Sequence, residues 1–201
     1  MSMLKAMLVS VLLLIWMTPA YSVAYCALRD PVRKIYRLFP KATSYRSIVH
    51  EIDESTQQQV KSSIPFSIHK DELGQHTLYI AMDEQAPLGI VHSRSEVGLW
   101  GLIEIVWAFD FDMNVVDFEF QRCRERACKL VENLEFRQIL QEKSTAELSA
   151  MLDQNQIAYP ANIANDEEAK VLAKTIIRSA IKTARVTELS WHDELLRYKT
   201  K

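Results

Sequence analysis

Four short runs rich in β-branched and aromatic residues lie between residues 76 and 121, and they constrain the fold more than any other feature of the sequence. The runs are residues 76–82, 88–93, 102–109 and 115–121. The connecting residues 83–87 and 110–114 are rich in Asp, Asn and Pro, which favour hairpin turns. In the last run Val116, Phe118 and Phe120 alternate with polar residues, as in a half-buried strand. The sequence therefore predicts an antiparallel meander.

Helix and strand patterns on both sides of these runs complete the predicted fold. Before the runs, the sequence predicts a short amphipathic helix from Asp30 and Pro31 to Pro40, a strand over 43–50 and a weak helix over 54–62. After them, it predicts a helix over 134–140, a second after the capping box of Ser144 and Glu147, and a long helix from Asn165 or Asp166 to about Val186. The buried side of this long helix is predicted to carry Val171, Leu172, Thr175, Ile176, Ser179 and Ala180.

No linker or internal repeat divides the chain, so we predict a single α+β domain over residues 25–190. It is an antiparallel β-sheet flanked by helices, with a long C-terminal helix. Residues 191–201 are predicted to form a loose, charged tail.

Composition and charge exclude several function classes. Only 4 of 201 residues are glycine, against a usual share of about 7 %. Neither GxGxxG nor GxxxxGK[ST] occurs, so Gly-rich phosphate cradles are excluded. The net charge is −2 with both signs mixed along the chain, which predicts no nucleic-acid partner. Motifs of the HExxH and CxxC types are absent, and we predict no metal site.

The first 24 residues have the pattern of a secretory signal peptide, with one Lys, an apolar run and small residues at the end. Cleavage after Ser22 and cleavage after Ala24 fit equally. The alternative is a retained anchor, although the apolar run of about 12 residues is shorter than the roughly 20 that span a bilayer. The pattern predicts an exported, periplasmic protein, which is anchored to the inner membrane if the segment is retained. The periplasm permits disulfides.

Three cysteines are then available for one disulfide: Cys26, Cys123 and Cys128. Either Cys123 pairs with Cys128 across a tight loop, or Cys26 joins the mature N-terminus to that loop. A reactive thiol at Cys123, favoured by neighbouring arginines, and a redox-cycling pair are further alternatives. The histidines are predicted to lie at the surface or at sheet edges; they are His50, His69, His76 and His92.

Three of the four glycines, Gly89, Gly98 and Gly101, fall within thirteen residues. Glycine at the mouth of a strand permits close approach of a flat ligand, and Trp100 offers a planar apolar surface beside it. The alternative is a β-bulge with a core tryptophan. Downstream, residues 122–129 hold four cations and one Glu, which is either a phosphate site or a solvated loop.

These segments resemble the periplasmic FMN-binding domain of the Rnf complex G subunit and the sodium-pumping NADH:quinone oxidoreductase C subunit. The resemblance covers roughly residues 70–187 and rests on the glycine segment 98–104, Pro87 to Gly89, the turn at 110–114, the strand after it and the long last helix. It implies a flavin held against the sheet near Gly98, Trp100 and Gly101, used for electron transfer in a membrane redox complex.

Two segments depart from the family pattern. The family's ETPGLG-like loop is replaced by residues 121–128, and its SGAT segment, whose Thr carries covalent flavin, is replaced by residues 164–169 with three acids and no Thr. Any FMN is therefore expected to be noncovalent, with its phosphate near Arg122, Arg124 or Arg126. The sequence predicts an electron-transfer accessory without an acid–base pair. The alternative is a flavin-free member that acts as a periplasmic interaction or assembly protein.

Overall fold

A computed structural model of the protein describes residues 30–199. The predicted signal peptide and Cys26 lie outside the described residues. Within 30–199, no helix is long and apolar enough to span a membrane.

The centre of the fold is a five-stranded antiparallel sheet in which every strand pairs with its neighbours in sequence, in the order β1-β2-β3-β4-β5. The strands are β1 (Ser44–Ile52), β2 (Gly74–Asp83), β3 (Ala86–Gly98), β4 (Gly101–Phe109) and β5 (Val115–Arg122). The predicted meander is thus confirmed. Strand β3 continues five residues beyond the predicted end at Ser93, because Arg94 and Glu96 find charged partners inside the protein.

Eight α-helices accompany the sheet within the described residues. They are α1 (Val32–Leu38), α2 (Glu54–Ser63), α3 (Cys128–Val131), α4 (Leu134–Leu140), α5 (Thr145–Asp153), α6 (Ala161–Ala164), α7 (Glu167–Ser190) and α8 (His192–Lys199). The Ser144–Glu147 capping box forms as predicted, with reciprocal backbone hydrogen bonds. Asp166 caps α7 by accepting from the Ala169 amide at 2.9 Å. The architecture is the predicted α+β class with a long C-terminal helix.

The strand alternation divides the interior into two layers. One face of the sheet contributes Leu78, Ile90 and Trp107 to a large core that also takes the buried sides of α2 through α8. The other face packs on α1 through a smaller cluster that includes Ile35, Val91 and Val106. Helix α7 therefore lies across one face of the sheet. Polar side chains on that face of the central strands are covered by the helix.

Two expectations are corrected. Residues 192–199, predicted to be a loose tail, form helix α8, because Leu195 is buried in the large core and Tyr198 stacks on Phe111. Val171, predicted on the buried side of the long helix, is 49 % exposed, whereas Leu172 and Ile176 are buried as expected.

Candidate functional site

The glycine segment forms a tight hairpin at one end of the sheet. Gly98 and Gly101 pair with each other, and only Leu99 and Trp100 lie between β3 and β4. Gly101 has a φ of +119°, which L-residues with a side chain rarely adopt. We call residues 97–101 the hairpin tip. The alternative of a β-bulge with a core tryptophan is wrong, since the Trp100 ring is 51 % exposed and Gly98 pairs with Gly101 without a bulge.

The hairpin tip exposes three large apolar side chains to solvent. The exposed fractions are 63 % for Val97, 66 % for Leu99 and 51 % for Trp100. Single exposed apolar residues are normal on protein surfaces, but three within four consecutive residues are typical of a contact surface.

A disulfide between Cys123 and Cys128, with Cα atoms 6.1 Å apart, closes the loop that follows β5. We call residues 123–128 the disulfide loop. This pairing is one of the two predicted from the sequence. It joins residues only five apart, so the loop has few conformations available and holds Glu125 and Arg126 in place.

The disulfide loop holds the hairpin tip through two contacts. The backbone N–H of Trp100 donates to Glu125 Oε1 at 2.9 Å. The guanidinium carbon of Arg126 lies 5.0 Å from the centre of the Trp100 ring, within the range of a cation–π interaction. These contacts fix both the backbone and the ring of Trp100 in an otherwise exposed turn.

The space beside Gly98 is occupied by the protein itself. A Cβ atom at this position would overlap the Glu125 carboxylate and approach Ile103 Cδ1 to 2.7 Å. The close approach that glycine allows here is therefore to Glu125 rather than to a ligand. The described residues do not fit a flavin against the Gly98 backbone, and a carboxylate at that point would repel a phosphate.

The three arginines predicted to bind phosphate have different surroundings. Arg122 lies opposite Glu104 on β4 and forms an ion pair with it at 3.5 Å. Arg126 covers the Trp100 ring, whereas Arg124 is exposed and makes no ion pair within residues 30–199. The structure thus brings Gly98, Trp100, Gly101 and Arg126 together, whereas Arg122 and Arg124 precede Arg126 in the same basic segment.

A second polar feature lies under helix α7 and was missed by sequence reasoning. Glu72 forms a buried ion pair with Arg94, and Lys182 on α7 lies 3.4 Å from Glu72 and 2.7 Å from Glu96. We call these four residues the buried charge cluster. The alternation of His92, Arg94 and Glu96 in the sequence was the available signal, because residues two apart in a strand share a face.

The two carboxyl groups of the buried charge cluster differ in their surroundings. Burial disfavours the ionised form of Glu72, but Arg94 and Lys182 outweigh burial and lower its pKa below the usual value. Burial raises the pKa of Glu96, and Lys182 offsets this only in part. Two cations face two carboxyl groups, so the cluster neutralises itself and offers no excess charge to a ligand.

A groove of about 660 Å³ opens beside the buried charge cluster. It runs between residues 67–72, the end of β3 and α7, and it is lined by charges of both signs. Its lining includes Lys70, Asp71, Arg178 and Val97. Because the two signs are mixed, the groove indicates no particular class of ligand.

Two histidines next to this cluster are not at the surface, and the expectation for them was wrong. His92 lies in the central strand β3 with no exposed area, and its Nδ1 is 2.8 Å from Thr187 Oγ1. His76 is buried and donates from Nε2 to the Glu72 carbonyl at 2.8 Å. Burial and nearby Arg94 lower the pKa of His76 to about 4 and that of His92 well below its usual value. Both rings are therefore neutral at pH 7.

Comparison with protein-family models, with curated proteins and with solved structures finds no match for this chain.

Proposed function

We propose that this protein is an exported interaction protein whose contact surface is the hairpin tip. The observation that carries the proposal is that Leu99 and Trp100 are more than half exposed in a turn of fixed conformation. Glu125 holds the backbone N–H of Trp100, and Arg126 lies over its ring. A fixed contact surface loses little conformational entropy on binding, which favours affinity.

The position of the disulfide supports the same function. It lies in a loop that contacts the hairpin tip, instead of joining distant parts of the core. The core itself is large and continuous, and it includes Trp107, Phe118 and Trp191 without exposure. The disulfide is therefore best understood as an element that holds the contact surface in shape.

Photo-crosslinking at the surface tests this function. A photoreactive amino acid placed at Leu99 in the full chain, expressed in its own cell envelope, should give a discrete adduct. The matched control is the same substitution at Val171, an exposed apolar residue of α7. Equal adducts from both positions, or none from Leu99, would show that the hairpin tip is not the contact surface.

Electron transfer with noncovalent FMN is the second candidate function. It is supported by the exposed indole of Trp100 beside the basic segment 122–126, where an isoalloxazine ring and a phosphate find suitable chemistry. Adding the purified protein to FMN checks this candidate. The fluorescence of FMN should fall in proportion to the protein added, and Trp100→Ala should weaken the binding. A protein that is colourless near 450 nm and leaves FMN fluorescence unchanged contradicts this candidate.

A further inference from the structure

We propose that the partner of the hairpin tip is an anionic phospholipid surface, an inference that rests on the proposed function. The tip carries the two kinds of side chain that membrane-surface contacts combine. Val97, Leu99 and Trp100 supply exposed apolar side chains in one turn, and Trp is a residue that prefers the boundary between headgroups and acyl chains.

The cations around the tip are not neutralised by the acids around it. Arg124 and Lys129 are exposed and form no ion pair in the described part of the chain, and Arg126 is held over the Trp100 ring. Two carboxylates stand against them. Glu104 pairs with Arg122, and Glu125 accepts from the Trp100 amide but keeps its charge, so the four cations of segment 122–129 exceed the two acids. A positive ring around an apolar tip complements lipid phosphates.

The same side of the molecule adds a further cation. Arg178 on α7 lines the groove that Val97 also lines, and its guanidinium lies 5.9 Å from the Phe66 ring. The groove also holds Lys70 and Lys182, but Asp71, Glu72 and Glu96 nearly balance its cations. The excess positive charge at this end of the sheet therefore comes from segment 122–129. An anionic bilayer takes up both the apolar tip and this positive charge.

Flotation with lipid vesicles tests the proposal. The exported chain, with the same N-terminus in every variant, is mixed with vesicles of phosphatidylcholine alone or with one quarter phosphatidylglycerol. We expect preferential binding to the anionic vesicles that weakens as salt is raised. Leu99→Ser should lower the partition coefficient roughly tenfold, and Arg124→Gln roughly fivefold.

Matched controls separate the tip from the rest of the surface. Val171→Ser removes another exposed apolar side chain, on α7, and Arg46→Gln removes an exposed cation on β1. Both should leave the partition coefficient unchanged. With Trp16 replaced by Phe in every protein compared, tryptophan emission should shift to shorter wavelength on binding. Trp100→Phe should then abolish the shift, because Trp107 and Trp191 are already fully buried.

The outcomes distinguish this inference from the function on which it rests. Partition that ignores lipid charge, or that is lost equally in the control variants, overturns the membrane proposal. If vesicles are not bound and photo-crosslinking at Leu99 yields a protein adduct, the contact surface stands and its partner is a protein. If neither vesicles nor an adduct is found, both proposals fail.

Discussion

Lys182 is the residue on which the buried charge cluster depends most. It alone contacts both Glu72 and Glu96, and its side chain is 8 % exposed. Removing one member of a buried ion pair leaves its partner charged without compensation, which typically costs about 3–5 kcal/mol. Substitution by methionine keeps most of the aliphatic part of Lys182, so the cost of that substitution reports mainly the lost charge.

We therefore expect Lys182→Met to lower the free energy of unfolding by about 3–5 kcal/mol, measured by urea denaturation at pH 7. The matched control is Lys170→Met, which removes the 2.7 Å ion pair with the exposed Glu167 and should cost less than about 1 kcal/mol. Equal effects of the two substitutions would show that the cluster adds nothing beyond a surface ion pair.

The two glycines of the hairpin tip should respond differently to substitution by alanine. Gly101→Ala should lower the free energy of unfolding by about 1–3 kcal/mol, because its φ of +119° is strained for alanine although no atom lies nearby. At Gly98 a Cβ atom would meet the Glu125 carboxylate and both Cδ1 and Cγ1 of the buried Ile103, so Gly98→Ala should also lower the free energy of unfolding. Unlike Gly101→Ala, it should displace Glu125 from the Trp100 amide and increase acrylamide quenching of the indole. Equal quenching of the two variants contradicts this assignment.

At the scale of secondary structure, the disulfide loop and the β3–β4 hairpin form one unit. Replacing both cysteines, Cys123→Ser with Cys128→Ser, should lower the free energy of unfolding by about 2 kcal/mol through loop-closure entropy. It should also increase acrylamide quenching of Trp100, since Glu125 and Arg126 lose their fixed positions. Reductant should produce the same change in the wild-type protein and none in the double variant. Unchanged quenching after reduction would contradict the role given to the disulfide.

Most elements were predictable because their signals are local. Runs of β-branched and aromatic residues identified the four strands from 76 to 121, and caps identified the starts of α5 and α7. The end of β3 was not predictable from local pattern, since Arg94 and Glu96 are typical of a loop unless partners far away in sequence neutralise them. Helix α8 was also missed. Most of its residues are charged or polar, and few of its apolar side chains pack on the core.

The candidate site was predictable only in part. The sequence placed Gly98, Trp100 and Gly101 together because they are close in the chain, and it left Cys123–Cys128 as one of two equally good pairings. It did not indicate that Glu125 would occupy the space beside Gly98, because that contact joins two loops. Nor did it reveal that Lys182 contacts Glu72 and Glu96, since these contacts depend on how α7 crosses the sheet.

At the scale of the whole molecule, stability should depend on pH through the buried histidines. The pKa of His76 is about 4 in the folded protein and about 6.5 in an unfolded chain. Between these values the unfolded state binds more protons, so stability is lost as pH falls. His76 alone accounts for about 3 kcal/mol over the full window. Glu72, with its lowered pKa, acts in the same direction, and Glu96, with its raised pKa, opposes both.

Urea unfolding at pH 7, 6 and 5 measures this dependence. The free energy of unfolding should decrease at each step for the wild-type protein. His76→Gln, which keeps a hydrogen-bond donor for the Glu72 carbonyl but does not titrate, should reduce the slope. A wild-type protein that is equally stable at pH 5 and pH 7 would contradict neutral burial of the two rings.

The separation of 110 residues between Glu72 and Lys182 sets a condition on when the chain can fold. Until residue 182 is available, an assembled sheet would bury Glu96 without its counter-charge and leave Glu72 with Arg94 alone. Closing the sheet in a chain that ends before residue 182 is therefore expected to stabilise that chain less than it stabilises the full one.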